Sequence, residues 1–409
     1  MVLSDKKDFQ LSGYTQNPAM PGSVCLLSRG TLRRPQLRSQ GSEHLFFRHF
    51  TEQGCLGDLC ILLVTHLLPD RPDFIQVLDR VGRVGAILPK PKSVHGPTLA
   101  WAQQHYPVLP LNRHWTSDPG EVIAQIAPLV MSHERLIILD IGGYFAKSQA
   151  VLAEHFGARF IGVVEMTENG HQRYEQESLA APVISVARSP LKQAEDIQIG
   201  LSVVYSAESL ARTLRRTFNV CQAALFGYGK VGRSIARELR CRNLHLELVE
   251  TDALRQVEAL SHGFKLVNKA EALGRAELVI CSTGNGSLDI TDLQALRPGA
   301  MLASVTSADD EFAFSLAQLP WPSEEVCPHV LALTRPDGST IFLLNRGEAV
   351  NFVHGAVIGE YVYLVLAEII EGVHQLAHQA STPGLHELPQ ATMQRIARHW
   401  LTDFHGVTP

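Results

Sequence analysis

The sequence predicts an α/β protein with two doubly wound parallel-sheet domains. From Leu56 onward, short apolar runs alternate with stretches of helical periodicity, which is the pattern of parallel strands connected by helices. A glycine-rich turn, Gly227-Tyr-Gly-Lys-Val-Gly232, separates one such run from one such helix. The 409 residues are also enough for two or more domains, each with its own core.

The composition excludes several classes of protein. Apolar residues make up 45% and charged residues 19%, as in soluble globular proteins, and the net charge of −5 provides no basic surface for nucleic acid. The seven cysteines form no CxxC pair, so we expect neither a disulfide framework nor a metal site. The most apolar stretch, 356–370, contains Glu360 and is shorter than the roughly 20 residues that cross a bilayer. We therefore expect a cytoplasmic protein that contacts no membrane.

Residues 1–55 contain many turn-forming residues and are predicted to be irregular. The next stretch, 56–205, is predicted to be the first α/β domain. Its predicted strands are 61–65, 84–88, 136–140 and 160–164, and its predicted helices are 72–80, 98–105, 119–130 and 146–156. Together they predict a parallel sheet that is covered by helices on both faces.

The second predicted domain spans 206–354 and begins with a helix over 206–217, for which Ser206 is the expected N-cap. Its predicted strands are 222–226, 244–250, 266–267, 276–282 and 301–305. Five strands within about 85 residues fit one Rossmann domain. The last long helix, 360–378, lies beyond these strands, so residues 355–409 are expected to join the first domain.

The glycine turn has the context of a dinucleotide-binding site, since a strand precedes it and an uninterrupted helix follows. Gly227 permits the tight turn, Gly229 permits the backbone to approach a pyrophosphate, and Gly232 permits close packing of helix and strand. Lys230 and Val231 complete the segment that we expect against the cofactor. Glu250 closes the next strand 18 residues after Gly232, where a carboxylate accepts from the ribose hydroxyls and repels a 2′-phosphate. The cofactor predicted is NAD rather than NADP.

A second loop, Ser282-Thr-Gly-Asn285, follows a strand of the same domain at the edge where dinucleotides bind. Thr283, Gly284 and Asn285 are therefore candidates for contacts with the nicotinamide half of NAD. Ordinary turn formation by these residues is the alternative interpretation.

The order of motifs resembles that of the S-adenosylhomocysteine hydrolase family over roughly residues 55–375. The motifs are Ile138-Leu-Asp-Ile-Gly-Gly143, Gly162-Val-Val-Glu-Met-Thr-Glu-Asn-Gly170, Ser189-Pro-Leu-Lys-Gln-Ala-Glu-Asp196, the glycine turn with Glu250, Ser282-Thr-Gly284 and Leu343-Leu-Asn-Arg-Gly-Glu-Ala-Val-Asn351. The resemblance implies a substrate domain and a Rossmann domain that hold NAD permanently between them. In that family, NAD oxidises a nucleoside 3′-hydroxyl, homocysteine is eliminated, water adds, and the product is reduced again.

The resemblance assigns roles to several positions. Lys192 matches the family lysine that helps to deprotonate the 3′-hydroxyl, Asp196 matches the aspartate beside it, and His66 matches a histidine at the end of the first substrate-domain strand. A lysine near a positive nicotinamide is expected to have a lowered pKa, which suits a base. A surface i,i+4 ion pair is the alternative for Lys192 and Asp196, and a structural role is the alternative for His66.

The resemblance also adds three residues to the expected cofactor site. Thr167 and Asn169 fall where the family has threonines that contact the nicotinamide, and Asn351 matches its cofactor-binding asparagine. The family assembles through its Rossmann domains, which makes a homo-oligomer a possibility for this chain. However, 403–409 has no counterpart of the family tail that reaches the neighbouring subunit's NAD.

Other family positions are changed on the substrate side of the cleft. The residues that replace polar or ionisable family residues are Ile141, Met166, Ile197, Leu201, Ser307 and Ile358. Apolar side chains cannot hydrogen-bond a ribose, and a site that binds hydroxyls discriminates through such bonds by about 10⁴ or more. Turnover of adenosylhomocysteine is therefore expected to be lost unless Asp140, Glu165 and His354 substitute for the missing groups.

Three functions remain open from the sequence. The first is an NAD-dependent enzyme that acts on another small hydroxyl-bearing substrate. The second is a true adenosylhomocysteinase with displaced catalytic residues, and the third is a catalytically silent NAD-binding regulator. A two-domain hydroxyacid dehydrogenase is a minor fourth, disfavoured by the motifs that precede Gly227.

Overall fold

The computed structural model describes residues 39–409 except 53, 220, 307, 315, 317–318, 357–358, 380 and 409, with the backbone alone for 39–42, 308 and 309. The elements of the first part of the chain are α1 (Ser39–Thr51), β1 (Leu59–Leu67), α2 (Arg71–Val81), β2 (Arg83–Val94), α3 (Gly96–His105), α4 (Arg113–Ser117), α5 (Pro119–Ile126), β3 (Arg135–Asp140), α6 (Gln149–Phe156), β4 (Phe160–Glu165), α7 (Glu168–Glu175) and β5 (Pro182–Ser185). A long helix, α8 (Pro190–Thr213), follows them.

The second part of the chain contains β6 (Gln222–Phe226), α9 (Lys230–Cys241), β7 (His245–Val249), α10 (Ala253–Ser261), β8 (Lys265–Leu266), α11 (Lys269–Arg275), β9 (Leu278–Cys281), α12 (Ile290–Ala295), β10 (Met301–Ser304), α13 (Ala308–Glu311), β11 (Ser323–Cys327), β12 (Val330–Thr334) and β13 (Thr340–Leu344). The chain ends with α14 (Tyr361–His378), β14 (Gly384–His386) and α15 (Gln390–His405). No helix in the described part of the chain is long and apolar enough to span a bilayer.

These strands form two sheets. The first has the order β14-β5-β4-β3-β1-β2, and all its pairings are parallel. The second has the order β11-β12-β13-β10-β9-β6-β7-β8, parallel from β13 to β8 and antiparallel at the β11-β12-β13 edge. Its parallel part has the strand order 3-2-1-4-5-6 of a Rossmann sheet, which confirms the predicted fold class.

The carboxyl end of the chain completes the first sheet. Strand β14 pairs with β5. Helix α14 packs against β4, β5 and α8, and thirteen of its eighteen residues are buried. The assignment of 355–409 to the first domain stays a prediction. The domain limits at 205 and 354 stay predictions, since helix α8 runs across the first of them.

Two sequence-based expectations about helices are wrong. Helix α8 does not begin at Ser206 but at Pro190, where the Ser189 hydroxyl accepts from the Lys192 N–H and proline occupies the first turn. The segment predicted to be irregular contains α1, because Phe46, Phe47 and Phe50 lie on one face of a helix and are buried against α14 and α15. Residues 1–38 of that segment lie outside the described residues.

Candidate active site

The glycine turn has the geometry that the sequence predicts. Gly227 adopts φ +91°, and a Cβ at Gly232 would collide with the Gly227 carbonyl oxygen. A Cβ atom added to Gly229 would have one neighbour within 4 Å, Arg255 Nη1 at 3.8 Å. The space beside the amino terminus of α9 is therefore open. This open, glycine-lined helix end fits a pyrophosphate.

The end of β7 presents the expected carboxylate. Glu250 accepts hydrogen bonds from the Tyr228 N–H at 2.6 Å, from the Thr251 N–H at 2.7 Å and from the Asp252 N–H at 2.9 Å. Three backbone donors hold the carboxylate in place beside the glycine turn. This is the position from which an acid binds the adenosine ribose of NAD.

The side chain of Lys230 points away from the glycine turn. Its ammonium donates to Glu168 at 3.1 Å and to the Ala187 carbonyl at 2.6 Å, which links α9 to the loop before α8. Arg188 also binds Glu168, and the two cations together outweigh burial and lower the pKa of Glu168 to about 2. Lys230 therefore joins the two sheets, and the contribution of this position to phosphate binding rests on its backbone.

The two sheets face each other across a cleft that several polar contacts bridge. Asn169 Nδ2 donates to the Gly284 carbonyl at 3.3 Å, and Arg173 Nη2 donates to Asp310 at 3.0 Å. Thr167 caps α7 by accepting from the Gly170 N–H and donates to Glu165 at 2.7 Å. The structure thus brings the 167–169 segment and the 283–285 loop together, as expected of two halves of one cofactor site.

Glu311 is a buried residue of this site that the sequence reading missed. Its carboxylate accepts from the Thr283 N–H and hydroxyl, from the Gly284 N–H and from the Thr306 hydroxyl, at 2.8–3.0 Å. Burial nevertheless raises its pKa. The Thr283 hydroxyl is therefore already hydrogen-bonded within the protein, which favours a role in the turn for this side chain. Of the two candidates for a contact with the nicotinamide, Asn285 is the one that this interaction does not engage.

Asn351 is buried near the end of the same domain. No described residue lies within hydrogen-bonding distance of its Oδ1 atom. A buried acceptor without a donor costs free energy unless a ligand supplies one. Together with the open glycine turn and the fixed Glu250, this atom shows that the residues of the cleft fit NAD.

Helix α8 carries the predicted catalytic pair and a third charged residue. The Lys192 ammonium donates to Asp196 at 2.6 Å and also to Glu195, and all three side chains are buried. Burial lowers the pKa of Lys192, but the two carboxylates outweigh it and hold the pKa well above its ordinary value. In the protein without NAD, the pKa of Lys192 is therefore raised, and the lowered value expected beside a bound nicotinamide stays a prediction. The burial of all three side chains excludes a surface ion pair.

Glu368 of α14 lies beside this group. It accepts from the Ser189 hydroxyl at 2.8 Å, and its Oε1 atom has no partner among the described residues. Burial raises its pKa to about 8, although the Ser189 hydrogen bond and Lys192 act against this. Glu368 is therefore a buried carboxylic acid that keeps its proton at neutral pH.

We expect Glu368→Gln to stabilise the protein at high pH. The unfolded side chain ionises near its ordinary pKa of 4.5 while the buried one keeps its proton up to about 8, so ionisation opposes folding increasingly as the pH rises between these values. The variant should match the wild type near pH 5 and exceed its free energy of unfolding by about 3 kcal/mol at pH 8. Urea unfolding at both pH values measures this, with the exposed Glu387→Gln as control. Equal gains at both pH values would contradict the assignment.

His66 occupies an apolar part of the first domain. Its Nδ1 atom lies 2.5 Å from the Ser93 hydroxyl, and its ring is 5.0 Å from the ring of Phe352. Burial and the charges of Lys90 and Arg71 hold its pKa well below the ordinary value. His66 is thus neutral at physiological pH and adjoins a cavity of about 30 Å³, large enough for one water molecule.

The altered positions are distributed over two environments. Ile141 and Met166 line the cavity beside His66, whereas Ile197 and Leu201 are exposed on α8. Ser307 and Ile358 lie outside the described residues. The cavity is therefore lined by aliphatic side chains where the family has residues that bind a sugar.

The neighbouring polar residues are already engaged. Buried Asp140 accepts from the Ile141 and Phe145 N–H groups and from the Tyr174 hydroxyl at 2.8–3.0 Å. Buried Glu165 accepts from the backbone of Gly142, Gly143 and Thr167 at 2.7–3.1 Å. Burial raises the pKa of each, and the proximity of Asp140 raises that of Glu165 further. Both carboxyl groups thus hold the loops together.

His354 cannot replace a group near Lys192. Its Nδ1 atom lies 3.0 Å from the Ser206 hydroxyl, and its Nε2 atom lies 3.4 Å from that of Ser209. Ser206 is fourteen residues along α8 from Lys192, a distance of about 21 Å on a helix. The sequence left open the exception that Asp140, Glu165 and His354 substitute for the missing groups, and these contacts provide no support for it.

The fold and the cleft define a two-domain NAD-binding protein with a Rossmann sheet. Residues 203–357 match the family model described as the NAD binding domain of S-adenosyl-L-homocysteine hydrolase. The chain is 30% identical over 274 residues to adenosylhomocysteinase of Thermotoga maritima, covering 64% of this chain and 67% of that one. It is 25% identical over 304 residues to S-inosyl-L-homocysteine hydrolase of Methanopyrus kandleri, covering 69% of each. The chain belongs to the S-adenosylhomocysteine hydrolase family, and NAD is its cofactor.

Two solved structures align with this chain at low sequence identity and with TM-scores below 0.5. Phosphoglycerate oxidoreductase from Vibrio cholerae superposes with a TM-score of 0.43 at 15% identity, over 80% of this chain and all of that one. A dipicolinate synthase component from Bacillus halodurans gives a TM-score of 0.41 at 10% identity, again over 80% of this chain and all of that one.

Proposed function

We propose that this chain is an enzyme that uses resident NAD for the reversible oxidation of a hydroxyl group on a substrate other than adenosylhomocysteine. The proposal rests mainly on the hydrogen bonds of Asp140 and Glu165, the two acids next to the altered positions. Asp140 and Glu165 are saturated by donors of the protein itself, while Ile141 and Met166 provide only apolar surface. No replacement for the family's ribose-binding groups is available from these four residues.

Lys192 is the centre of the proposed reaction. An ammonium group has three N–H donors, of which Glu195 and Asp196 engage two. The third donates to the substrate oxygen and stabilises negative charge that develops when the hydroxyl loses its proton. The Lys192 ammonium passes one proton to the carboxylate of Glu195 or Asp196, and its nitrogen then accepts the proton of the substrate hydroxyl. When bound, NAD supplies the hydride acceptor.

Asn351 provides a test of the cofactor site that is separate from catalysis. Because its Oδ1 atom has no partner within the described residues, we expect Asn351→Leu to leave the free energy of unfolding of the NAD-free protein almost unchanged. NAD affinity should fall by about tenfold, the value of one hydrogen bond to a buried acceptor. Calorimetric titration with NAD and urea unfolding measure the two quantities. A large loss of stability with unchanged NAD affinity would assign Asn351 to the core.

Glu250 is proposed to select NAD over NADP. Glu250→Gln removes the charge that repels a 2′-phosphate. We therefore expect it to lower the ratio of the dissociation constant for NADP to that for NAD by about tenfold or more. The matched control is Glu258→Gln on the neighbouring helix, where the carboxylate pairs with Arg233. Tighter NADP than NAD binding by the wild type would reject the assignment.

A catalytically silent NAD-binding regulator is the second candidate. Two observations favour it: Lys192 is held protonated between carboxylates, and His66 is held neutral in an apolar setting. Protonated Lys192 has no lone pair with which to accept a proton, and the lowered pKa makes His66 a weak base. A true adenosylhomocysteinase with displaced catalytic residues receives no comparable support, since His354 is bound to serines far along α8.

The experiment that separates these functions is an absorbance assay of the NAD-loaded protein. The proposal predicts that at least one secondary alcohol from a panel produces the absorbance of reduced nicotinamide, and that Lys192→Met abolishes it. Lys147→Met, which removes an exposed lysine of the same domain, serves as control. No signal with any alcohol, while NAD remains bound, would reject the enzyme and favour the regulator. Assembly through the Rossmann domain remains a prediction, which analytical ultracentrifugation tests.

A further inference from the structure

Three cationic side chains converge on one point of the cleft. They come from three elements: Lys90 from β2, Arg113 from α4 and Arg173 from α7. A Cβ atom at Gly142 would lie 3.5 Å from Lys90 Nζ, 3.8 Å from Arg113 Nη2 and 3.9 Å from Arg173 Nη1. Glycine at this position, with φ +99°, leaves that space unfilled by a side chain.

The cations are held in place without being neutralised. Both arginines donate to the Gly142 carbonyl, and the Arg113 guanidinium lies 4.3 Å from the centre of the Tyr144 ring. Asp310 of the Rossmann domain is their shared acid, 3.0 Å from Arg173 and 3.7 Å from Arg113. The two guanidinium groups thus share one carboxylate.

Lys90 has the least compensation of the three. Among the described residues, no carboxylate lies within 4.0 Å of its ammonium, and no protein group accepts a hydrogen bond from it. Burial lowers the pKa of Lys90, and the charge of Arg113 lowers it further, while the charges of Asp310, Glu165 and Asp140 act in the opposite direction. A partly buried ammonium in this setting is costly unless an anion approaches it.

The convergence is accessible from the cleft. The side chain of Arg113 is 39% exposed and that of Arg173 is 32% exposed, so an anion can reach both guanidinium groups. Guanidinium groups bind carboxylate and phosphate oxygens through paired N–H donors, and an ammonium adds a point charge. The site therefore suits a small group with two or more anionic oxygens.

We propose that Lys90, Arg113 and Arg173 bind an anionic group of the substrate, a carboxylate or a phosphate, beside Gly142. The identification of the ligand as a substrate rests on the proposed function, which this proposal makes more specific. It defines the substrate as a hydroxyl-bearing anion. The apolar surface of Ile141 and Met166 lies next to this loop, so the substrate contacts aliphatic side chains where the family's substrate presents its sugar.

Calorimetric titration of the NAD-saturated full-length chain tests the site. Saturation with NAD prevents binding of the probes at the pyrophosphate position of the cofactor. The probes are inorganic phosphate and acetate, in a buffer without other oxyanions. We expect saturable binding of one of them, and the tighter probe identifies the substrate group as phosphate or carboxylate.

Lys90→Gln and Arg113→Gln should each lower the affinity for the tighter-binding probe by about tenfold or more, because each removes a charged hydrogen-bond donor. Lys147→Gln should bind like the wild type, since it removes the same charge from an exposed position nearby. Thermal unfolding of each variant reports whether the fold is retained, and either variant alone suffices if the other is unfolded. Absence of saturable binding, or an equal loss in Lys147→Gln, would overturn the proposal. The absorbance assay with alcohols is independent, so each claim can fail alone.

Discussion

Gly232→Ala is expected to lower NAD affinity by about 10- to 100-fold and the free energy of unfolding by about 1–3 kcal/mol. The added Cβ collides with the Gly227 carbonyl oxygen and would lie 3.0 Å from the Ser282 hydroxyl oxygen. Both neighbours belong to tight turns at strand ends, so neither can move without displacing the loop that faces the pyrophosphate. Calorimetry with NAD and urea unfolding measure the two effects.

Gly274→Ala is the matched control for this substitution. Gly274 also lies in a helix, α11, but a Cβ there meets no atom within 4 Å. Alanine should raise the free energy of unfolding by about 0.5–1 kcal/mol and leave NAD affinity unchanged. Unchanged NAD binding in Gly232→Ala would mean that the glycine turn does not hold the cofactor.

Lys192→Met is expected to cost about 3–5 kcal/mol of the free energy of unfolding, besides abolishing activity. The buried carboxylates of Glu195 and Asp196 would then face each other without a cation. Urea unfolding of the variant and of the wild type measures the loss.

A second substitution distinguishes this explanation from a simple loss of packing. Adding Glu195→Gln to Lys192→Met removes one of the two opposed charges, so it should recover about half of the lost stability. Glu195→Gln alone should retain the Lys192–Asp196 pair and bind NAD normally. A double variant no more stable than Lys192→Met would show that the two carboxylates do not repel each other.

The sequence was informative where interactions are local. The glycine turn and the acid at the end of β7 are close along the chain, and each residue type there has a specific backbone reason. The same holds for β1, β3, β4, β6, β9 and β10, whose apolar runs were recognisable, whereas β5 and β11 to β14 were not predicted. The beginning of α8 was also local, since Ser189 followed by proline is a helix start, but Ser206 gave a competing capping residue within the same helix.

The electrostatics of the site depended on contacts that the sequence does not place. Glu311 reaches Thr283 across 28 positions, and Glu368 reaches Ser189 across 179. Lys90, Arg113 and Arg173 are also far apart along the chain, with 23 positions between the first two and 60 between the last two. By contrast, Glu195 stands three residues after Lys192, so the raised pKa of that lysine could have been expected from helical spacing alone.

The central claim is that the cofactor half of the family's site is kept while the substrate half is changed. Its most direct test is the incubation of the NAD-loaded protein with S-adenosylhomocysteine, followed by chromatographic measurement of adenosine. We predict stoichiometric bound NAD and no adenosine above the protein-free background. Sustained release of adenosine, with many turnovers for each protein molecule, would contradict the account.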